Sequence, residues 1–210
     1  MDTTAIGRIL GSRFEGVAED GALALRELAL PREAAILDVG TGSGNFAIFL
    51  ASQGYRVLTG EPSTDRSQYA GRDWARNAEK VRVLDKIRFE AFDASRLPFE
   101  PATFDAVFFF GVLHHIREDR RSDVLSEALR VAKEDGAIVF FEPRREMLER
   151  IWVDDPDHPL AANPGSYLPD AGIRERRIEG ALMDIFIYRK AELATGAISS
   201  TPTAQATASR

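Results

Sequence analysis

Asp38, Gly40, Gly42 and Gly44 form an alternating run, D-x-G-x-G-x-G, with Thr41 inside it. Glycines so spaced permit backbone angles with φ > 0 and let a ligand approach the main chain closely. A glycine turn that leaves a strand and opens a helix is a cradle for a nucleotide or an anion. The dinucleotide spacing G-x-G-x-x-G/A fails when counted from Gly40, because Asn45 is sixth; counted from Gly42 it passes, with Ala47 sixth. Asp38, two residues ahead of the first glycine, would repel a pyrophosphate. It suits a ligand that carries an amino group or a positive charge. A second pair able to do chemistry, His114 and His115, follows an apolar run. Imidazole titrates near neutrality, so either is a candidate general base. The competing reading is that one of them packs or caps the next helix.

Two more acids fall where a nucleotide fold needs them. Glu61 ends an apolar run, Tyr55–Glu61, and lies 21 residues after Gly40, close to the place where an acid grips ribose hydroxyls. Pro62 and Ser63 then turn the chain. Asp93 closes a further run, Ile87–Ala94. With Leu113-His114-His115 leaving a fourth run, these landmarks in this order resemble the class I S-adenosylmethionine-dependent methyltransferases of the small-molecule (type 11/25) kind, over roughly residues 14–190.

That resemblance implies a set of roles. Asp38, Gly40, Thr41, Gly42 and Gly44 would cradle the methionine and ribose portion of S-adenosylmethionine. Glu61 and Pro62 would belong to the acid-Pro-Ser turn, the Asp93 carboxylate would meet the adenine amino group, and the Ala94 N–H would meet the ring. Gly111 completes the cofactor set, and His114 and His115 would be the catalytic candidates. Asn/Asp-Pro-Pro-Tyr/Phe, which amide and adenine-amino methylators carry here, is absent. The implied acceptor is therefore a small molecule methylated on oxygen, carbon or a non-amide nitrogen. Two other readings stay open: a nicotinamide-dependent oxidoreductase with an all-parallel sheet, and a non-catalytic partner subunit that keeps the fold.

The elements that must position these residues alternate between strand-like and helix-like runs, the pattern of a parallel sheet with helices on its faces. A helix is expected over 14–29, ended by Pro31. A polar one is expected over 64–82, weakened by Gly71, with Tyr69, Trp74, Ala78 and Val81 facing inward. One at 119–133 has Val124, Leu125, Ala128, Leu129 and Ala132 on one face and Gly136 as its stop. Strands follow at 36–39, 55–61, 87–94, 104–110 and 136–142. A last strand at 182–190 has Leu182, Asp184, Phe186 and Tyr188 on one side. The expected fold class is α/β, a three-layer α/β/α sandwich; the resemblance makes the sheet seven-stranded and mostly parallel, with an antiparallel last strand. Residues 1–191 are expected to form a single domain with a small lid at 143–170 for substrate recognition, and 193–210 to be a disordered tail. Asp154, Asp155, Asp157 and His158 in that segment read as solvated, and no metal site is expected.

Composition sets limits. With no cysteine there are no disulfides, thiolate ligands or thiol nucleophile. A net charge of −6 argues against a nucleic-acid partner. No apolar run approaches the ~20 residues that span a bilayer, and Met1–Leu10 lacks a signal pattern, so the expected location is cytoplasmic. A homodimer or a partner subunit completing the pocket is an open expectation.

Overall fold

The computed structural model describes residues 1–70, 73–169 and 172–191; the expectations about Gly71 and the tail at 193–210 lie outside the described residues. Among the described residues the α-helices and strands order as α1 (Thr3–Leu10), α2 (Ser12–Leu28), β1 (Ile36–Val39), α3 (Asn45–Ser52), β2 (Val57–Gly60), α4 (Trp74–Lys80), β3 (Ile87–Phe89), β4 (Phe104–Phe110), α5 (Glu118–Val131), β5 (Ala132–Pro143), α6 (Arg145–Asp154), β6 (Ile173–Glu179) and β7 (Met183–Lys190). The sheet runs β3-β2-β1-β4-β5-β7-β6. The first five strands are parallel, and β7 is antiparallel to both β5 and β6. That antiparallel β7 departs from the all-parallel sheet that the oxidoreductase reading expects.

Alternation along the strands builds the two apolar layers. Ile36, Phe108, Val139, Phe141 and Ile185 face α1, α2 and α3. Leu37, Val39, Phe109, Phe140, Phe186 and Tyr188 face α5. β1 is buried throughout, as a central parallel strand covered on both faces must be. α3 follows the glycine turn with Phe46 through Ala51 all buried, and Phe46 stacks on Phe110 at 5.0 Å between ring centroids.

Several elements differ from their sequence-based outlines. The helix expected over 14–29 is α2, and a further helix, α1, precedes it across Gly11 at φ 93°. The helix expected over 64–82 is confined to α4, and Tyr69 lies outside it. β3 stops at Phe89. The next residues still follow β2 through the Glu90 N–H on the Thr59 carbonyl (3.0 Å) and the Phe92 N–H on the Glu61 carbonyl (3.3 Å). Gly136 does not end a helix. α5 passes directly into β5 at Ala132, and Gly136 sits in that strand where its register against β4 shifts; a Cβ there would lie 3.0 Å from the Phe104 carbonyl oxygen. Leu182 precedes β7 and packs toward α2, against Gly16, not beside Phe186 and Tyr188.

The hairpin is fastened from below. Asp20 of α2 is fully buried, and its carboxylate accepts the backbone N–H groups of Ala181, Leu182 and Met183. Burial raises its pKa against those three hydrogen bonds, which pull it down. This tie fixes the turn from which β7 starts, and with it the edge of the sheet beside β5.

Candidate functional site

The parallel strands β1, β2, β4 and β5 end along one edge, and the chemistry-bearing residues gather there, as α/β folds dictate. At the end of β1 the chain turns through Gly40 (φ 92°), Gly42 (φ 48°) and Gly44 (φ 81°), all in the region that glycine alone adopts without strain. A Cβ on Gly40 would stand 2.4 Å from Cγ2 of Val112, so the turn is pressed against the segment leaving β4. The Gly40 N–H donates to the Gly60 carbonyl at 2.8 Å. The Gly42 N–H donates to Oε2 of Glu61 at 2.8 Å, which binds the end of β2 to the glycine turn.

Asp38 lies beneath this turn rather than at its surface. It is 1 % exposed. Thr59 donates to its Oδ2 at 2.8 Å, and the Thr59 oxygen then accepts from the Thr41 hydroxyl at 2.9 Å, since a hydroxyl has one hydrogen to give. Asp38 Oδ1 is buried without a hydrogen-bond partner. Burial, helped by the charge of Glu61, raises its pKa to about 7 in spite of the Thr59 hydrogen bond. Asp38 therefore underpins Thr41 and the turn through Thr59.

Glu61 and Pro62 are half-buried at the rim. Asp93 is exposed, and its Oδ1 accepts both the backbone N–H (2.8 Å) and the hydroxyl (2.7 Å) of Ser95. Those two bonds hold its carboxyl below the ordinary range. Ala94 beside it is buried. Gly111, at φ 68°, ends β4 with its N–H on the Phe141 carbonyl at 2.9 Å.

Past Gly111 a short 3-10 turn, Leu113–His115, carries the two histidines. They differ sharply. His114 is buried, and its Nδ1 lies 2.9 Å from Oε2 of Glu142 at the end of β5. That oxygen also accepts the Ala162 N–H at 2.8 Å, so it acts as acceptor toward both. His115 is solvent-exposed on its outer side, while its ring lies 4.8 Å from Tyr69, 4.3 Å from His114 and 4.9 Å from His158 between centroids. Local burial, then the neighbouring imidazoles, hold its pKa well below the ordinary histidine value. Arg121 of α5 fastens the turn by donating to the Ile116 carbonyl (2.9 Å), the His114 carbonyl (3.3 Å) and the Tyr167 hydroxyl (2.9 Å).

His158, Glu142, Thr59 and Tyr69 were not picked out as site residues from sequence. His158 follows α6 and is buried, with Nδ1 2.9 Å from the Pro159 carbonyl. It joins His114 and His115, not the neighbouring acids: Asp154 and Asp157 are exposed, and Asp155 Oδ2 accepts from Gln68 and from the Tyr69 hydroxyl. The Tyr69 carbonyl in turn lies 3.3 Å from where a Gly42 Cβ would stand. Glu142 had one usable signal, an acid at the carboxyl end of a central strand; His158 had none beyond being one of three histidines. A cleft of about 600 Å³, lined among others by Glu142, Asn163, Glu175, Arg177 and Asp184, opens beside β6 and β7 and not over the glycine turn.

The pattern of a methyltransferase domain matches residues 37–140. The chain belongs to the class I S-adenosylmethionine-dependent methyltransferase family. It is 33 % identical over 103 residues to the 27-O-demethylrifamycin SV methyltransferase of Amycolatopsis mediterranei, covering 49 % of this chain and 36 % of that one. It is 34 % identical over 113 residues to the ubiquinone/menaquinone biosynthesis C-methyltransferase UbiE of Desulfotalea psychrophila, covering 52 % and 41 %. These alignments span well under two thirds of each relative's length. The fold is shared with the PH0226 protein of Pyrococcus horikoshii OT3, at a TM-score of 0.66 and 20 % identity over 85 % of this chain and 90 % of that one. No helix among the described residues is long and apolar enough to cross a membrane.

Proposed function

We propose that this chain binds S-adenosylmethionine along the carboxyl edge of β1, β2 and β4 and transfers its methyl group to a small-molecule acceptor on the histidine side. The observation that carries this reading is the D-x-G-x-G-x-G turn with Glu61 tethered to the Gly42 N–H. The turn fits such a ligand: its glycines leave no side chain in the way, and a rim carboxylate is fixed by the turn itself. Gly40, Thr41 and Gly42 would hold the methionine portion, Glu61 the ribose, and Asp93 with Ala94 the adenine. The sulfonium of that ligand supplies an activated methyl group.

The protein's share is alignment and exclusion of water, which together supply much of the acceleration in such transfers. An acceptor that carries a proton must also lose it, and the His114–His115 turn, braced by Glu142 and Arg121, is where this chain offers groups for that purpose. The relatives include one enzyme named for an O-demethylated substrate and one named a C-methyltransferase, which supports an oxygen or carbon acceptor here.

Calorimetric titration with S-adenosylhomocysteine tests the reading. The intact protein should bind one equivalent. Glu61→Ala, checked for an unchanged melting transition, should weaken binding about 10- to 100-fold, since hydrogen bonds to a charged group contribute ~1.5–3 kcal/mol. No binding by the intact protein, or full affinity in Glu61→Ala, would overturn it.

A further inference from the structure

We propose that His114, His115 and His158 together bind a divalent first-row transition-metal ion of the Zn2+ type. These are the chain's three histidines. Two come from the turn after β4 and one from the loop after α6, yet one ligand atom from each lies within 4.8 Å of the others. Ligands about 2.0–2.1 Å from a tetrahedral ion stand ~3.3 Å apart, so the ligand atoms need close by at most ~1.5 Å, shared among three side chains.

The hydrogen bonds around the cluster are those of an oriented ligand set. The Pro159 carbonyl can only accept, so His158 Nδ1 carries a hydrogen and Nε2 keeps its lone pair. Glu142 Oε2, already accepting from Ala162, takes His114 Nδ1–H in the same way. A carboxylate behind one imidazole and a backbone carbonyl behind another are the outer partners that metal-binding histidines use to fix their tautomer. Three imidazoles packed for their apolar surface alone do not require either. Around them, Asp65 and Asp155 act electrostatically on His115, and Arg13 acts in the opposite sense on His158. Nitrogen-only ligation selects Zn2+ and its neighbours over Mg2+ or Ca2+, which want oxygen. His114 and His158 are buried while His115 is exposed. The cluster thus opens to solvent on one side, as sites do that keep a coordination position free for a substrate.

This inference is independent of cofactor binding but competes with the proton-acceptor role given to the His114–His115 turn, and its test contains no methyl donor. Ligation would occupy the lone pairs that a base needs, so an ion-loaded chain does not use His114 or His115 as the proton acceptor. The experiment is a competition titration of tag-free protein against a chromogenic zinc chelator, with Co2+ as a second probe. Wild type should take up one Zn2+ per chain, and Co2+ should show the intense visible bands of a tetrahedral site. His158→Ala and His115→Ala should each lose at least ~100-fold in affinity, and Glu142→Gln about 10- to 100-fold. Asp157→Asn should bind as wild type. His115 is exposed, so its replacement tests the site even where His158→Ala fails to fold. Absence of stoichiometric binding by the intact chain, or wild-type binding by folded His115→Ala, would overturn the proposal. S-adenosylhomocysteine titration of the same samples reports separately on the cofactor side.

Discussion

The two sides of this edge are built by different means. On the glycine side, adjacent strands β1 and β2 supply nearly everything: the turn, the Asp38–Thr59–Thr41 chain and Glu61 are held by hydrogen bonds of 2.8–2.9 Å within a buried, parallel pair. On the histidine side, four separate segments contribute one or two side chains each: the turn after β4, the end of β5, the loop after α6 and the stretch before α4. The family match reaches both His114 and His115 but ends at residue 140, two residues short of Glu142 and well short of His158. On the proposed function, a donor side made of backbone and strand ends can be shared among relatives with different acceptors. An acceptor side made of side chains on loops is where this chain can differ.

The largest effect that would sharpen this contrast concerns Asp38. Its pKa is raised from 3.8 to about 7 by burial. Below pH ~4 it is protonated in both folded and unfolded chains and contributes no pH dependence. As the pH climbs toward 7 the unfolded chain ionises first, so stability falls, and above 7 the whole cost is present. Three pH units at ~1.4 kcal/mol each set a ceiling of roughly 4 kcal/mol. Asp38→Asn, whose amide oxygen still accepts from Thr59, should remove that slope. In urea unfolding, the variant should gain on wild type between about pH 4.5 and 8. Parallel curves would show that the glycine side does not rest on a strained buried carboxyl.

The same contrast explains what the sequence could and could not disclose. β1, the turn, α3 and β4 were legible because their residues are neighbours: apolar runs, glycine spacing and strand-end acids all act over a few positions. Asp38 was legible as an acid ahead of the glycines, but nothing local says that Thr59 on β2 is its partner. α1 went unread because Gly11 alone separates it from α2. The 64–73 stretch looked helical by composition; in the fold Tyr69 is instead drawn to the glycine turn and to Asp155. His158 and Glu142 meet His114 only through tertiary packing across 44 and 28 positions. The acids of that loop read as solvated together with His158; the fold leaves Asp154 and Asp157 in water but buries His158.

A middle-sized effect probes where the two sides touch. Gly40→Ala forces φ 92° on a residue with a side chain and drives a methyl group to 2.4 Å from Val112 Cγ2. The backbone strain costs ~1–2 kcal/mol and the overpacking brings the total to about 2–4 kcal/mol. Gly40→Ala with Val112→Ala should recover the packing share and leave the strain, apart from the small cavity cost of Val112→Ala measured alone. A neutral single substitution would mean that the glycine turn and the segment leading to His114 are not pressed together as the geometry shows.

The smallest expected effect is the one that decides whether the two sides move as one. Tyr69 has its carbonyl beside Gly42, its ring against His115 and its hydroxyl on Asp155. Burial and the Asp155 carboxylate both raise the phenol pKa, so the hydroxyl keeps its proton and donates at neutral pH. Tyr69→Phe keeps the ring and deletes the bond to Asp155, worth ~1 kcal/mol or a little more with a charged acceptor, together with the longer one accepted from Gln68 at 3.3 Å. Global stability should change by no more than that. Amide hydrogen exchange is the sharper readout, because it reports opening of individual segments. If Tyr69 couples the sides, protection should fall together at 65–70 and at 155–158, several-fold in each. Loss confined to 65–70 would show that the loop bearing His158 is held by its own contacts, such as the Trp152 indole N–H on the His158 carbonyl at 2.8 Å. The glycine and histidine sides would then be joined by the sheet and the Gly40–Val112 contact, not through Tyr69.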